Sequence, residues 1–482
     1  LKLRPGLATR WETLSPLHWR FHLRKGVRFH DGTPFTASDV LFTFERVRKP
    51  RSQMRSRIPD GARIIAVDAH TVDVHLEKPN PILPANWESL LIMSRPWAER
   101  HGLADPGAVP QSAPDLPANG TGPYRVISHR TGQVMHFERH AMWWGEARGL
   151  ARRVDLFTLA NAQTRTAALL SGQVDLIVPA PVQDLARISA TDGFKTVTGA
   201  ELRTIFLNMD QMREELPGAP AGTANPFMDR RVRQAVYHAI DIDMIRRKVM
   251  LGLSAPAASL VSPLILPGIR EIERARHDPA RARQMLRDAG YENGFDVVMD
   301  CPNNRYVNDE QICLAIVQML ARIDIRVRLN AQPKALFFKK VLSGGGYDSA
   351  FNLLGWTPAT LDAWNVLDNV ARCRDDKGNG ARFNLGGYCN GEVERLTALA
   401  LGEGDPARRS AMMVQAFRLI HEDAGFIPLH QQTLAWAMSD RLDASVRADN
   451  QIKFDALRLR PAARQSATAP PGAATDAAPR IR

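Results

Sequence analysis

An arginine and a tyrosine stand in a short polar loop at a position where an α/β protein can bind a ligand. The run Cys301-Pro302-Asn303-Asn304-Arg305-Tyr306 follows a strand-like stretch, Phe295–Asp300, and precedes a helical stretch, Asp309–Arg322. Open α/β sheets bind ligands at such carboxyl ends of strands. A guanidinium presents paired N–H donors that match a carboxylate, so Arg305 is a candidate carboxylate-binding residue. The alternative is a loop arginine in a surface ion pair.

Motifs of catalysis and of metal binding do not occur in the sequence. It contains no His-Glu-x-x-His, no Gly-x-Ser-x-Gly and no Walker loop. The run Gly344-Gly345-Gly346 lacks the Lys-Ser/Thr of a phosphate loop and is interpreted as a helix stop. The 13 histidines show no ligand spacing, although His22 and His30 flank a turn and could bind a metal chelate. The sequence therefore predicts a protein that is not an enzyme and has no bound metal or cofactor.

Composition and charge restrict the remaining classes. The chain has 482 residues, 44% hydrophobic and 24% charged, which is enough for two or three globular domains. The formal net charge is +12, but Lys and Arg are scattered among Asp and Glu, so we expect a solvated basic surface and no nucleic-acid site. No run reaches the roughly 20 uninterrupted apolar residues of a membrane span. Leu251–Leu266 comes nearest, and Pro256 and Pro263 interrupt it.

The first part of the chain has the pattern of strands followed by a helix. The run Trp19–Arg46 reads WRFHLRKGVRFHDGTPFTASDVLFTFER, and its alternating start predicts a half-buried strand. Thr36 followed by Asp39 predicts a capping box at the start of a helix. Two further strands, Arg63–Val67 and Thr71–Leu76, are predicted to form a hairpin.

Helix and strand alternate in two later parts of the chain. A strand, a helix and a strand between Val154 and Val178 predict a parallel βαβ unit. Asp229–Met250 is predicted as one helix. From Asp278 to Leu354 helices and strands alternate again. The alternation before about residue 265 and after it predicts two α/β lobes.

The literal residues of several stretches resemble those of a known family. The run FHLRKGVRFHDGTPFTASDV closely resembles the signature of the solute-binding proteins of peptide and nickel ABC importers, solute-binding family 5. Family-like stretches recur in order to about residue 455, among them GTGPY ending at Tyr124, DRRVRQAVYHAID from Asp229, and IPL around Pro428. The resemblance implies an α/β, two-lobed periplasmic-binding-protein-like fold of type II.

The resemblance also implies domain boundaries and a mechanism. Residues 1–264 would form the first lobe, with an inserted subdomain at about 12–150, residues 265–430 the second lobe, and residues 431–460 a return to the first. The chain would cross near 262–268 and near 428–432, and two crossing strands make a hinge around a ligand cleft. Residues 461–482, rich in Ala, Pro and Thr, are predicted to be disordered.

Leu1–Glu12 resembles an internal stretch of the family, "P-G-L-A-x-x-W-E". We therefore expect an N-terminally incomplete copy whose signal segment is not in this chain. The resemblance implies a periplasmic location, or the outer face of the cell membrane.

The resemblance assigns ligand contacts residue by residue. Arg305 matches an arginine that holds the ligand carboxylate in dipeptide-binding relatives, with Tyr306 beside it, and Trp356 of the Gly355-Trp356 pair matches an indole that lines the cleft. An aspartate that holds the free amine of a peptide in relatives is replaced here by Ala359, and Asp362 matches a later acid that more often braces the loop. Weaker candidates for lining the cleft, each more often structural, are Tyr124, Asn208, Asn384 and Tyr388.

The predicted function is that of a solute-binding protein of an ABC importer, which captures a peptide-like or other small polar solute and delivers it to the permease subunits. We expect a monomer that binds no nucleic acid. The alternatives are a ligand-sensing domain of the same fold and, less favoured, a hydrolase.

The sequence contains four cysteines, and their expected state depends on the compartment in which the protein folds. An exported protein folds in an oxidising environment, where disulfides persist, and four cysteines allow three pairings. We favour the local pairing, in which Cys301 bonds Cys313 and Cys373 bonds Cys389. The alternative is that the thiols are free and buried.

Overall fold

The computed structural model of the chain describes residues 3–52, 54–107, 118–146, 151–342, 345–375, 380–460 and 480–481. The chain divides into two units, named here for their place in the sequence. The central unit contains Ala200–Leu434 and Ala448–Asn450, and the terminal unit contains Lys2–Gly199, Ala435–Arg447 and Gln451–Arg482. Each unit is described by itself.

The secondary-structure elements are numbered in chain order. The α-helices are α1 (Ala37–Arg48), α2 (Leu83–Asn86), α3 (Arg95–Arg100), α4 (Ala162–Leu170), α5 (Leu185–Ser189), α6 (Arg230–Ala239), α7 (Ile242–Met244), α8 (Pro279–Asp288), α9 (Asp309–Ala321), α10 (Lys334–Val341), α11 (Trp364–Val366), α12 (Gly391–Gly402) and α13 (Pro406–Glu422). The strands are β1 (Ala8–Ser15), β2 (His18–Leu23), β3 (Arg63–Asp68), β4 (Thr71–His75), β5 (Tyr124–Arg130), β6 (Val134–Arg139), β7 (Arg153–Phe157), β8 (Leu176–Ile177), β9 (Phe194–Met209), β10 (Ser254–Pro256), β11 (Phe295–Pro302), β12 (Ile325–Gln332), β13 (Phe351–Trp356), β14 (Ile427–Ser439), β15 (Leu442–Asp443), β16 (Arg458–Leu459) and β17 (Arg480–Ile481).

The strands of the central unit form a mixed sheet in the order β10–β14–β9–β13–β11–β12. β11 pairs in parallel with β12 and β13, whereas β13 pairs antiparallel with β9. Alternate residues of a strand point to opposite faces of its sheet. Leu207 and Leu353 accordingly belong to one buried apolar cluster, and their neighbours Phe206 and Leu354 belong to another. Both faces of the sheet are therefore covered, which explains the near-continuous apolar runs of β9 and β13.

The boundary between the units differs from the predicted one. The sequence predicts a change of lobe at residue 265, but the central unit begins at Ala200. The reason is packing, because α6 shares one apolar cluster with β11 and α9, and Leu260 lies in the other cluster. Residues 200–264 therefore belong with 265–430. The chain leaves this unit after Leu434, close to the predicted second crossing at 428–432.

The terminal unit contains a four-stranded antiparallel sheet in the order β1–β2–β4–β3. Its predicted strand and hairpin are confirmed, and alternate β2 residues Trp19, Phe21 and Leu23 are buried in the core of this unit. The predicted start of α1 is also confirmed, since the backbone N–H of Thr36 donates to the Asp39 carboxylate at 2.9 Å.

Two predicted elements of secondary structure are wrong. Between residues 154 and 178 the two strands do not pair in parallel, because β7 pairs antiparallel with β6 and β8 pairs antiparallel with Ala437 and Met438 of β14. The predicted helix Asp229–Met250 is divided into α6 and α7. Asp241 accepts the backbone N–H of Met244 and so caps a new helix instead of continuing the first.

The predicted disordered tail, residues 461–482, lies outside the described residues apart from Arg480–Ile481. These two residues form β17, which pairs in parallel with β7. Among the described helices, none is both long enough and apolar enough to cross a membrane.

The predicted disulfides are confirmed, since Cys301 bonds Cys313 and Cys373 bonds Cys389. The first bond ties the end of β11 to α9. The second closes the segment between α11 and α12. Both links are local in the sequence, as the favoured pairing requires.

Alkylation tests this pairing. Unreduced, denatured protein from an oxidising compartment should show no labelled thiol, and reduction should expose four. Replacing Cys373 and Cys389 together by serine should lower the free energy of unfolding by about 2–4 kcal/mol, because the unfolded chain loses a constraint. Labelled thiols in the unreduced protein would contradict the assignment.

Candidate functional site

The loop that carries Arg305 is held between the end of β11 and the start of α9. The carboxylate of Asp309, the first residue of α9, accepts the backbone N–H groups of Arg305 at 2.8 Å and Tyr306 at 2.9 Å. Asn308 supports the turn with a left-handed backbone, φ 53°, and the Cys301–Cys313 bond ties the strand to the helix. The loop is therefore fixed by covalent and charge-assisted contacts.

Two guanidinium groups lie near the ring of Tyr306. The Arg305 guanidinium carbon is 5.1 Å from the ring centroid, and that of Arg203 is 5.6 Å from it. Tyr306 is buried and donates its hydroxyl to the carbonyl oxygen of Gly355 at 3.3 Å. Within the described residues, the guanidinium of Arg305 makes no hydrogen bond, although it is only partly exposed. Its five N–H donors are therefore available to a ligand.

The charge of Arg203 is compensated within the protein. Arg203 lies 3.3 Å from the Glu201 carboxylate, and Gln432 donates to the same carboxylate at 2.6 Å. Glu201 is fully buried and Arg203 nearly so. Burial raises the pKa of Glu201 and lowers the pKa of Arg203, although each partner's charge opposes that shift in the other. Desolvation therefore outweighs the attraction, as is common for buried ion pairs.

Gly355 is required where β13 passes this cluster. A Cβ atom there would lie 2.7 Å from Ile205 Cδ1 and 2.8 Å from Tyr306 Cε1, so a side chain would displace the tyrosine. The next residue, Trp356, is partly exposed, donates its indole N–H to Asn365 at 3.0 Å and packs on Phe383. We call Glu201, Arg203, Arg305, Tyr306, Trp356 and Gln432 the Arg305 site.

The charge of Asp362 is paired within the protein. Its two carboxylate oxygens accept from Arg409 at 2.7 and 2.8 Å, and one also accepts the backbone N–H of Trp364. These contacts fit an acid that braces the loop, and a contact of Asp362 with the solute stays a prediction. Ala359 is exposed in the loop after β13.

Three other predicted lining residues have structural contacts. Asn208 is fully buried and donates to Asn352 at 3.0 Å. Asn384 is also fully buried and hydrogen-bonds backbone groups of Arg372 and Tyr388. Tyr124 lies in the terminal unit, is 8% exposed and donates its hydroxyl to Ala151. Burial raises the pKa of Tyr124 to about 12. These contacts give the three residues structural roles, and their assignment as lining residues stays a prediction.

Tyr388 is likewise a structural residue. Its hydroxyl donates to the Asp423 carboxylate at 2.8 Å, and burial raises the pKa of the tyrosine.

A separate cavity of about 1040 Å³ lies within the terminal unit, with mainly apolar lining that includes Trp11, Trp87 and Trp97. His30 is the histidine among its described lining residues, and both ring nitrogens contact backbone groups of Gly120 and Gly122. The imidazole therefore has no nitrogen free to bind a metal.

Sequence reasoning missed Glu201, Arg203 and Gln432. A signal was available in the run Glu201-Leu202-Arg203-Thr204, in the middle of β9, where two charged residues alternate with others just before the apolar run Ile205–Leu207. Such charges must be paired when the strand is buried on both faces. Gln432, on β14, carries no local signal.

An α/β sheet whose strand-end arginine has no hydrogen-bond partner among the described residues is an arrangement that can bind an anionic ligand. A family model described as bacterial extracellular solute-binding proteins, family 5 Middle, matches residues 2–378. The chain belongs to this family. Its homologues are binding proteins that take small ligands or peptides and work with ABC permeases, and the predicted solute-binding function is confirmed at this level.

Individual relatives agree with this assignment. The chain is 26% identical over 472 residues to heme-binding protein A of Haemophilus influenzae, covering 92% of this chain and 82% of the relative. It is 24% identical over 447 residues to the glutathione-binding protein GsiB of Salmonella choleraesuis, covering 91% and 82%. Its fold is similar to that of DppA, an ABC transporter-associated periplasmic binding protein from Helicobacter pylori in complex with peptide STSA, with a TM-score of 0.78, 23% identity and coverage of 95% and 90%. The predicted fold class is thereby confirmed.

The role of Asp362 can be separated from ligand binding. Asp362→Asn should lower the free energy of unfolding by about 3–5 kcal/mol, because it leaves the buried Arg409 guanidinium unpaired. Asp296→Asn is the control, since Asp296 pairs with Arg326 on the exposed surface and should change stability little. Denaturant unfolding measures both variants. A stable Asp362→Asn protein with lost solute binding would contradict the bracing role.

Proposed function

We propose that this protein binds a solute with a carboxylate or another anionic group, and that Arg305 holds that group. The observation that carries the proposal is the state of the Arg305 guanidinium. It is partly buried beside Tyr306 and has no hydrogen-bond partner among the described residues, whereas its neighbour Arg203 is paired with Glu201. A partly desolvated guanidinium binds a carboxylate through two parallel hydrogen bonds.

The Asp309 carboxylate contacts the backbone of Arg305 and not its guanidinium. Its carboxylate accepts backbone N–H groups of Arg305, Tyr306 and Glu310 at the start of α9. A carboxylate at a helix N-terminus is stabilised by the helix dipole and these donors. The side-chain donors of Arg305 remain free for the solute.

The end of the solute opposite the group bound by Arg305 is proposed to lack a free α-amine. A buried ammonium group needs an acidic partner, because an unpaired buried charge is costly. Position 359 is alanine, and Asp362 is committed to Arg409. Suitable anionic solutes are an acylated or cyclised peptide, a sugar acid and an opine-like compound; the alternative is an oligosaccharide, which would offer hydroxyl groups in place of the charge. The relatives named for glutathione and crystallised with a peptide support a peptide-like size.

The biological setting completes the proposal. We infer that the protein acts as a monomer in the periplasm, or on the outer face of the cell membrane, and delivers its solute unchanged to an ABC permease. The binding-protein homologues support the inference that it is not an enzyme. A sensor domain of the same fold is the second reading, and the Arg305 site would serve it equally.

Arg305→Ala should weaken solute binding by about 1.5–3 kcal/mol, the scale of a hydrogen bond to a charged group. Arg326→Ala is the matched control, because Arg326, on β12, is an exposed arginine that pairs with Asp296 of β11. Isothermal calorimetry with the co-purified solute measures both variants. Equal affinity of the Arg305→Ala variant and the parent would overturn the assignment.

The proposed absence of a free α-amine is tested by measuring the affinity of the protein for a panel of free dipeptides and tripeptides and for their N-acetylated forms. We expect acetylation to leave affinity unchanged or improve it, and Ala359→Asp to give no gain for the native solute. Tight binding of free peptides that acetylation abolishes would show that another acid holds the amine. Recovery of intact peptides after incubation is expected, and cleavage would favour a hydrolase.

A further inference from the structure

The polar face of the sheet β1–β2–β4–β3 brings two histidines and an aspartate together. β2 and β4 are antiparallel neighbours, and their register places His18 opposite His75 and Arg20 opposite Asp73. Strand alternation turns Trp19 and Val74, which lie between these residues, into the apolar core. All four polar side chains therefore share the other face of the sheet.

The three potential metal ligands converge. The rings of His18 and His75 are stacked with centroids 4.1 Å apart, and His18 Nε2 lies 3.1 Å from a carboxylate oxygen of Asp73. One ligand atom from each of His18, Asp73 and His75 lies within 4.8 Å of the others. Two nitrogens bound to one metal ion at about 2.1 Å each lie roughly 3–3.5 Å apart, so side-chain rotation closes the set.

Two further observations favour a ligand at this place. His18 Nε2 is buried and points at the carboxylate of Asp73, 3.1 Å away. Arg20 donates to both oxygens of Asp73 at 2.7 Å each and so fixes the carboxylate, which is itself nearly buried. An ionised carboxylate has about four lone-pair positions, so Asp73 can bind Arg20 and a metal ion together. Such outer partners orient metal ligands.

We propose that His18, His75 and Asp73 bind one divalent first-row transition-metal ion. Two imidazoles with one carboxylate form a facial ligand set that suits Zn²⁺, Ni²⁺ or Co²⁺ and leaves positions for water. Mg²⁺ and Ca²⁺ prefer oxygen ligands and should bind poorly. The positive charge of Arg20 opposes the ion, so the affinity should be modest. This site lies in the terminal unit and does not depend on the proposed solute site at Arg305.

The sequence shows no spacing that predicts this site. His18 and His75 belong to strands separated by α1 and β3, and only the antiparallel register brings them face to face. Directly opposite residues on paired strands have Cβ atoms about 4.5–5.5 Å apart, which suits two side chains that share one ion.

Metal titration of the full chain, free of any histidine tag, tests the proposal. Chelator-treated protein is titrated with Co²⁺, followed by the visible absorption of the bound ion, and then with Zn²⁺ as competitor. We expect one bound Co²⁺ per chain, displaced by Zn²⁺. His18→Gln and His75→Gln should each weaken Co²⁺ binding about tenfold or more, because each removes a ligand.

His70→Gln is the matched control, because the half-buried His70 lies in the turn between β3 and β4, outside the cluster. It should bind Co²⁺ as the parent does. Circular dichroism of each variant checks that the sheet remains folded. Binding that is unchanged in folded His18→Gln and His75→Gln proteins, or spread over several weak sites, would overturn the proposal.

Discussion

The carboxylate of Asp309 is the contact on which the Arg305 site depends. It is buried, and it accepts the backbone N–H groups of Arg305, Tyr306 and Glu310 around the start of α9. Burial raises the pKa of Asp309, and these backbone donors act against that rise. Without this contact the loop would lose its fixed position relative to β11.

Arg203 and Arg305, the two arginines near the ring of Tyr306, differ in burial and in pairing. Arg203 is buried, paired with Glu201 and surrounded by protein, so it contributes to the architecture of the site. Arg305 is partly exposed and keeps its side-chain donors unused among the described residues. Gly355 permits this arrangement, since any side chain there would meet Tyr306. In our proposal, one paired and one available guanidinium beside a single ring would make the site selective for an anionic group.

The sequence predicted the parts of this structure that depend on local pattern. Strand alternation at Trp19–Leu23, the cap at Thr36 and the two local disulfides are confirmed because each depends on residues close in the chain. The unit boundary at Ala200 was missed because it depends on which apolar cluster α6 joins. The arginine of the candidate site was predicted as a strand-end residue, and its role remains a proposal. The other charged and amide members of the site, Glu201, Arg203 and Gln432, were missed because they come from strands remote in the sequence from Arg305.

Native mass spectrometry of protein purified without denaturation tests the central claim most directly. The account predicts one bound small molecule per chain whose extracted form carries a carboxylate or other anionic group, and whose neutral amide or ester no longer binds. A co-purified solute without an anionic group, bound with the same affinity by the Arg305→Ala variant, would contradict it.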